Sequence, residues 1–402
     1  MRIKRILSLA LCLVMACIAL VGCGDTPIGD YLKHYDYEPE KIVNMDFDLY
    51  IIVGEGTDEM AKTTVNDKIN QHLNDKFHTK LNIHYLTAAE YAEEVTKAVE
   101  GSAQSTHIIH DTENTRIKAG KIVLVTGEAM MASFVDSGKL YNLSDFLTTN
   151  DFGTLNTQIP EVLVDAARND AGELYCIPNN HVIGEYEYVC INREAALKHN
   201  YSDRTELREI VSEEDIVELR NVIGVDNVEV VTGPYELRAE KEAAGWICNI
   251  SKYPEADSAE AFSSAFAVIP EATVFFDVNE DGKIDVNDYK DADKNGSISE
   301  EEKALSCIAD INEVARRAME VVYSINADTV LRNYLQYGVE HTNYVVVDGH
   351  VEYITLEDSK YYMPLEYTGD IFKANFIKVD YKNDSWTESM YNNGKAQNND
   401  AK

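Results

Sequence analysis

The chain becomes regular near residue 45. Phe47-Asp48-Leu49-Tyr50-Ile51-Ile52-Val53 is an almost unbroken apolar run that predicts a buried strand, and Gly54-Glu55-Gly56 ends it. Val65, Ile69, Leu73 and Phe77 then recur four apart, which places them on one face of a helix. Lys80-Leu81-Asn82-Ile83-His84-Tyr85 alternates as a second strand, and Ala88–Glu100 predicts a second helix. After a polar loop, Ile122-Val123-Leu124-Val125 predicts a third strand, with a helix from about Glu128. Strands alternating with helices imply an α/β fold, a mostly parallel sheet covered by helices on both faces.

The N-terminus has a different pattern. Arg2, Lys4 and Arg5 precede an apolar run from Ile6 to Val21, too short for a comfortable membrane span. The run ends in Leu20-Val21-Gly22-Cys23, which resembles the lipobox of bacterial lipoproteins, where the cysteine is acylated and becomes the new N-terminus. This implies a signal peptide over 1–22, lipidation at Cys23, and stable anchoring by two or more acyl chains at the outer face of the cell membrane. Residues 24–44 are polar and aperiodic, as a tether would be.

Charge narrows the partners. The 402-residue chain carries 70 acidic against 36 basic residues, and loss of the leader's three basic residues takes the formal charge from −34 to −37. Such a surface repels phosphate backbones, which sets nucleic acid aside, and it favours cations. Of seven cysteines, Cys176, Cys190, Cys248 and Cys307 remain after cleavage and lipidation, with no zinc-type spacing. Export permits disulfides, and four cysteines allow three pairings; a chain this long can bury a core without staples, which favours free thiols. There is no HExxH, GxSxG or P-loop, and His107 and His110 have the wrong spacing for one helical face, so no enzyme is expected.

The strongest motif is DVNEDGKIDVNDYKDADKNGSISEEE, residues 277–302. A calcium loop needs oxygen ligands at its first, third and fifth positions, glycine at the sixth, a carbonyl at the seventh and a carboxylate at the twelfth. One frame supplies Asp277, Asn279, Asp281, Gly282, the Lys283 carbonyl, Asp285 and Asp288; the next supplies Asp291, Asp293, Asn295, Gly296, the Ser297 carbonyl, Ser299 and Glu302. The second is expected to bind better, because Glu302 can reach in with both oxygens. Only Tyr289 and Lys290 separate the frames, which leaves no room for the helices of a paired sensor. The expectation is structural Ca²⁺, at one or two sites, in an EF-hand-like insertion over 274–306.

Further motifs point to a family. GELYCIPNNHVIGEYEYVCINREAAL (172–197), AFAVIP (265–270), NEVARRAMEVVYSINADTVLRNYLQYGVEHTNY (312–344), TGDIFKANF (368–376) and WTESMYNNGKAQNND (386–400) resemble extracellular solute-binding proteins of ABC import systems, in their large-lipoprotein, carbohydrate-binding subgroup. The resemblance implies a periplasmic-binding-protein-like fold, two lobes joined by crossing strands: residues 45–178 and 265–335 in the first, 179–264 and 336–402 in the second. It also implies a monomer that captures a solute, chiefly a sugar, and delivers it to permease subunits. Amide and aromatic groups suited to hydroxyls and sugar faces make Asn179, Asn180, Glu185, Tyr186, Tyr188, Trp246, Asn249, Tyr337 and Tyr344 the candidate ligand residues. The chain departs from the resembled pattern at His341, where relatives carry glycine. It also departs after the Gly-Lys-x-Gln-Asn segment, where they continue, so an incomplete second lobe is expected. A calcium-dependent surface adhesion protein is the competing expectation.

Overall fold

The computed structural model describes residues 43–148, 152, 155–199, 212–284, 288, 299, 307–347, 350–373, 378–381, 384–386 and 388–401. The first strands, β1 (Asn44–Ile52), β2 (Thr79–Leu86), β3 (Ser105–Ile109) and β4 (Arg116–Val125), alternate with helices α1 (Glu59–Phe77), α2 (Ala88–Glu100) and α3 (Glu128–Asp136). Then come β5 (Cys176–Pro178), β6 (Tyr186–Asn192), β7 (Val228–Gly233) and β8 (Trp246–Lys252). The last third contains β9 (Ala265–Pro270), β10 (Ala272–Phe276), β11 (Cys307–Ala309), α4 (Ile311–Ala327) and α5 (Thr329–Tyr337). It closes with β12 (Tyr344–Val347), β13 (His350–Tyr353), β14 (Lys378–Tyr381), β15 (Asp384–Trp386) and α6 (Glu388–Asp400).

The first lobe has a five-stranded sheet in the order β2-β1-β4-β9-β5. β1 is parallel to both β2 and β4, and β9 is antiparallel to both β4 and β5. The expected face of α1 is the buried one, through Ala61, Val65, Ile69 and Leu73, with Phe77 packed at the core's edge. α2 starts in a capping box between Thr87 and Glu90 and buries Tyr91, Val95 and Val99. α4 packs on β9 and β4, and α5 on α1. Residues 360–362 also belong to this body, because Asp58 N–H donates to Lys360 O and Gly54 N–H to Tyr362 O, each at 2.8 Å. The α/β class with two lobes joined by crossing strands is the fold observed.

The second lobe is an antiparallel sheet, β7-β6-β8. Alternation along its central strand splits two small cores. Val189 and Ile191 meet Leu219 and Ile223 on one face, while Tyr186, Tyr188 and Cys190 cluster with Cys248 on the other. Cys190 and Cys248 stand opposite each other in register and are bonded as a disulfide. This corrects the expectation of free thiols for that pair; Cys176 and Cys307 are free. Two smaller sheets are also present among the described residues, β11-β10-β3 and β12-β13-β14-β15. In the first, β3 covers a segment around His107–His110 that reads as a strand or a loop, and its parallel partner β10 is distant in the chain.

Candidate functional site

The crossings leave the first lobe side by side. β5 ends at Pro178 opposite Ala265, where β9 begins. The ladder extends one residue further through Asn179 N–H to Ser264 O (2.8 Å), and the Asn179 side chain donates to Ser264 Oγ (2.8 Å). His181 joins the two segments, with Nδ1 2.7 Å from Asn179 O and Nε2 3.0 Å from Glu260 Oε1. At Gly184 they touch: its φ is +51°, and a Cβ there would sit 2.8 Å from Glu255 O. Only glycine meets both conditions without strain.

α6 braces the first crossing through a polar face. Asn398 donates to Asn180 Oδ1 (3.0 Å) and His181 O (2.6 Å) and accepts from Ile183 N–H (2.9 Å). Gln397 donates to Ile183 O (2.9 Å) and accepts from Tyr235 N–H (3.1 Å), which ties in the second lobe. One turn earlier, Gly394 lets the helix approach; a Cβ would lie 2.7 Å from Val182 Cγ2. The Gly-Lys-x-Gln-Asn segment is thus a clamp on the crossing.

Beside this clamp lies a cavity of about 510 Å³. Its walls are residues 158–162 of the first lobe, Asn180 of the crossing, Asp370, Phe372 and Lys373, and Lys395, Asn398 and Asn399 of α6. The Gln158 Oε1 atom is buried and has no hydrogen-bond partner among the described residues, as is Asn179 Oδ1. Burial pushes the Asp370 carboxyl up to about 6, although Phe372 N–H donates to it (2.8 Å). Behind Asp370, the buried Arg332 donates to Asp370 O (3.2 Å) and to Gln336 Oε1 (3.1 Å), and Gln336 also takes the Thr368 hydroxyl. Burial lowers the Arg332 pKa. Amides, one aromatic ring, two lysines and the carboxyl groups of Glu161 and Asp370 suit a hydroxyl-rich solute.

Of the candidate ligand residues, the structure brings Asn179 and Asn180 to this region, and only Asn180 lines the cavity. Glu185 is exposed at the end of the crossing. Tyr186 and Tyr188 are buried and stacked at 5.5 Å, and the Tyr186 hydroxyl donates to Asp400 (2.8 Å). Trp246 is half-buried opposite Asn192, at the strand end remote from the crossing, with Lys241 over its ring. Asn249 faces Val189 mid-sheet, and its Nδ2 is buried without a partner among the described residues. Tyr337 and Tyr344 form a small core with Val351. Sequence reasoning missed Gln158, Glu161, Asp370, Lys373, Lys395 and Asn399, which come from short helices and late segments without apolar periodicity. Cys23 lies outside the described residues, as do Asp285, Asp291, Asp293, Asn295, Ser297 and Glu302; Ser299 is described and exposed.

No family model and no curated relative matches the chain. Among solved structures, it is similar to the N-glycan transport solute-binding protein of Streptococcus pneumoniae in complex with Man1GlcNAc, at 12% identity over 89% of this chain and 83% of that one, TM-score 0.46. The same protein with Man5GlcNAc matches at 11% over 89% and 82%, TM-score 0.47. A sugar transporter of Rhizobium etli in an open conformation matches at 11% over 56% and 72%, TM-score 0.27.

Proposed function

We propose that this chain is the solute receptor of an ABC importer, exported, held at the outer face of the membrane through Cys23, and selective for a carbohydrate that it passes to permease subunits. One observation carries the reading: two separate sheets are joined by adjacent crossing segments, with a clamp and a polar cavity at the junction. That is the arrangement in which a hinged binder grips a small solute. The cavity volume falls in the range of small-molecule sites. Its amides match sugar hydroxyls, which both donate and accept. The Cys190–Cys248 disulfide supports an oxidising compartment, as does the basic and apolar leader.

A thermal-shift screen over neutral oligosaccharides, uronates and peptides tests the reading. A sugar should raise Tm and reduce the radius of gyration in small-angle scattering. Gln158→Ala and Asn399→Ala should each weaken its binding by roughly 1–3 kcal/mol, the loss that follows removal of a hydrogen-bonding partner at a buried contact. A binder whose affinity ignores both variants has its site elsewhere. Cys23→Ala should release the protein from the membrane fraction; mature-size protein that stays bound removes the anchor from the proposal.

A further inference from the structure

The first calcium-loop motif follows β10 directly. Asp277 N–H donates to Ile109 O (2.8 Å), which extends the β10–β3 pairing by one rung. The chain returns as β11, antiparallel to β10, with Phe275 opposite Cys307. The insertion is therefore the loop of a hairpin whose base is pinned in a three-stranded sheet.

Asp277 is 2% exposed. Its Oδ2 accepts the Gly282 N–H across the loop (2.7 Å), so the carboxylate turns inward. Its Oδ1 is buried and has no hydrogen-bond partner among the described residues. A carboxylate oxygen left in that state is costly, and a cation is the partner that an inward-facing carboxylate lacks. Gly282, at φ +79°, makes the sharp turn of the loop. Asn279 and Asp281 follow on the same loop, and Asp288 is buried with Oδ1 accepting the Val278 N–H (2.8 Å). We propose that Asp277, Asn279, Asp281 and Asp288, with the Lys283 carbonyl, hold a calcium ion whose anchoring ligand is Asp277 Oδ1, and that the ion clamps the β10–β11 hairpin. A mixed set of carboxylate, amide and carbonyl oxygens on a pliable loop favours calcium over the smaller, more strictly octahedral magnesium.

Among the described residues no three His, Cys, Asp or Glu side chains are already gathered at metal-holding distance. Asp281 Oδ1 is occupied by the Lys283 N–H (2.9 Å). The ion therefore completes the cage by drawing these groups in, and its binding energy goes into ordering the hairpin. The site is also carried away from the junction. β9 starts at Ala265 beside the crossing, and β9 and β10 extend from there to Phe276 at roughly 3.3 Å per residue. Calcium should set the stability of the first lobe and leave solute affinity unchanged.

The test is calorimetry and melting of the protein in a Glu302→Gln background, which disables the second sequence motif. Calcium uptake with a dissociation constant of roughly 0.1–1 mM and a calcium-dependent rise in Tm are expected, with magnesium a poor competitor. Asp277→Asn should weaken uptake at least ~10-fold and cancel the rise in Tm. Because Asp277 also holds Gly282, Asp281→Asn is the second variant; its exposed side chain touches only the loop, and it should weaken uptake with an unchanged melt in EDTA. No uptake by the Glu302→Gln protein at ~10 mM calcium, or uptake that survives both added substitutions, overturns the proposal.

Discussion

His341 sits in the left-handed region, at φ 63°, with its N–H donating to Tyr344 O (2.7 Å). That conformation explains the glycine of the resembled pattern, since a Cβ there is penalised by roughly 1–2 kcal/mol. The side chain is exposed and makes only a 3.8 Å pairing with Glu340, so His341→Gly should gain about 0.5 kcal/mol after the entropy cost of glycine, measured by urea unfolding. Asp370 gives a sharper test. Burial raises its folded pKa from 3.8 to about 6. Between those values the unfolded chain releases a proton that the folded protein keeps, so stability falls as pH rises through the window and levels off above it. Asp370→Asn preserves an acceptor for the Phe372 N–H and removes the charge. It should exceed the native protein by up to ~2 kcal/mol at pH 7 and match it below pH 4. An equal gain at both pH values would show that the carboxyl is ionised at no cost.

Elements show what the sequence could reveal. β1 was legible as an apolar run buried on both faces, and α1, β2 and α2 because each buries one regular face, as in Val65, Ile69 and Leu73. The strand ending in Ile177-Pro178 and the return strand at Ala265 were legible through resemblance, and they do pair. α6 was opaque as a structural element because its packed face is Gly394, Gln397 and Asn398, which no apolar period marks. Tyr186 and Tyr188 suggested sugar contacts, yet β6 is a central strand covered on both faces, so its tyrosines are core. The disulfide was hidden because spacing alone cannot choose among pairings. Gly184→Ala should cost roughly 1–3 kcal/mol, because it adds both left-handed strain and a backbone contact at Glu255. Replacing Cys190 and Cys248 by alanine should cost ~2–4 kcal/mol, given the 58-residue separation they close.

At the scale of the whole molecule the lobes are unequal, and calorimetry can separate them. The first lobe has one contiguous core from β1 to α5, whereas the second relies on two small clusters and a disulfide. Their direct connections are the crossings and the clamp from α6, so unfolding of the second lobe need not carry the first with it. Two transitions are expected, the lower belonging to the second lobe. Reductant should lower that transition alone, since Cys190–Cys248 lies wholly within it. EDTA should lower the upper one alone, if calcium clamps the β10–β11 hairpin of the first lobe. A solute held by Asn180, Gln158 and α6 would touch the first lobe, the crossing and the helix that ties in the second lobe, so it should raise both and draw them together. At 100 times its dissociation constant it would add about 2.7 kcal/mol to the state that binds it. A sugar that raised only the upper transition would be bound within the first lobe, and the junction would then be a hinge without a grip.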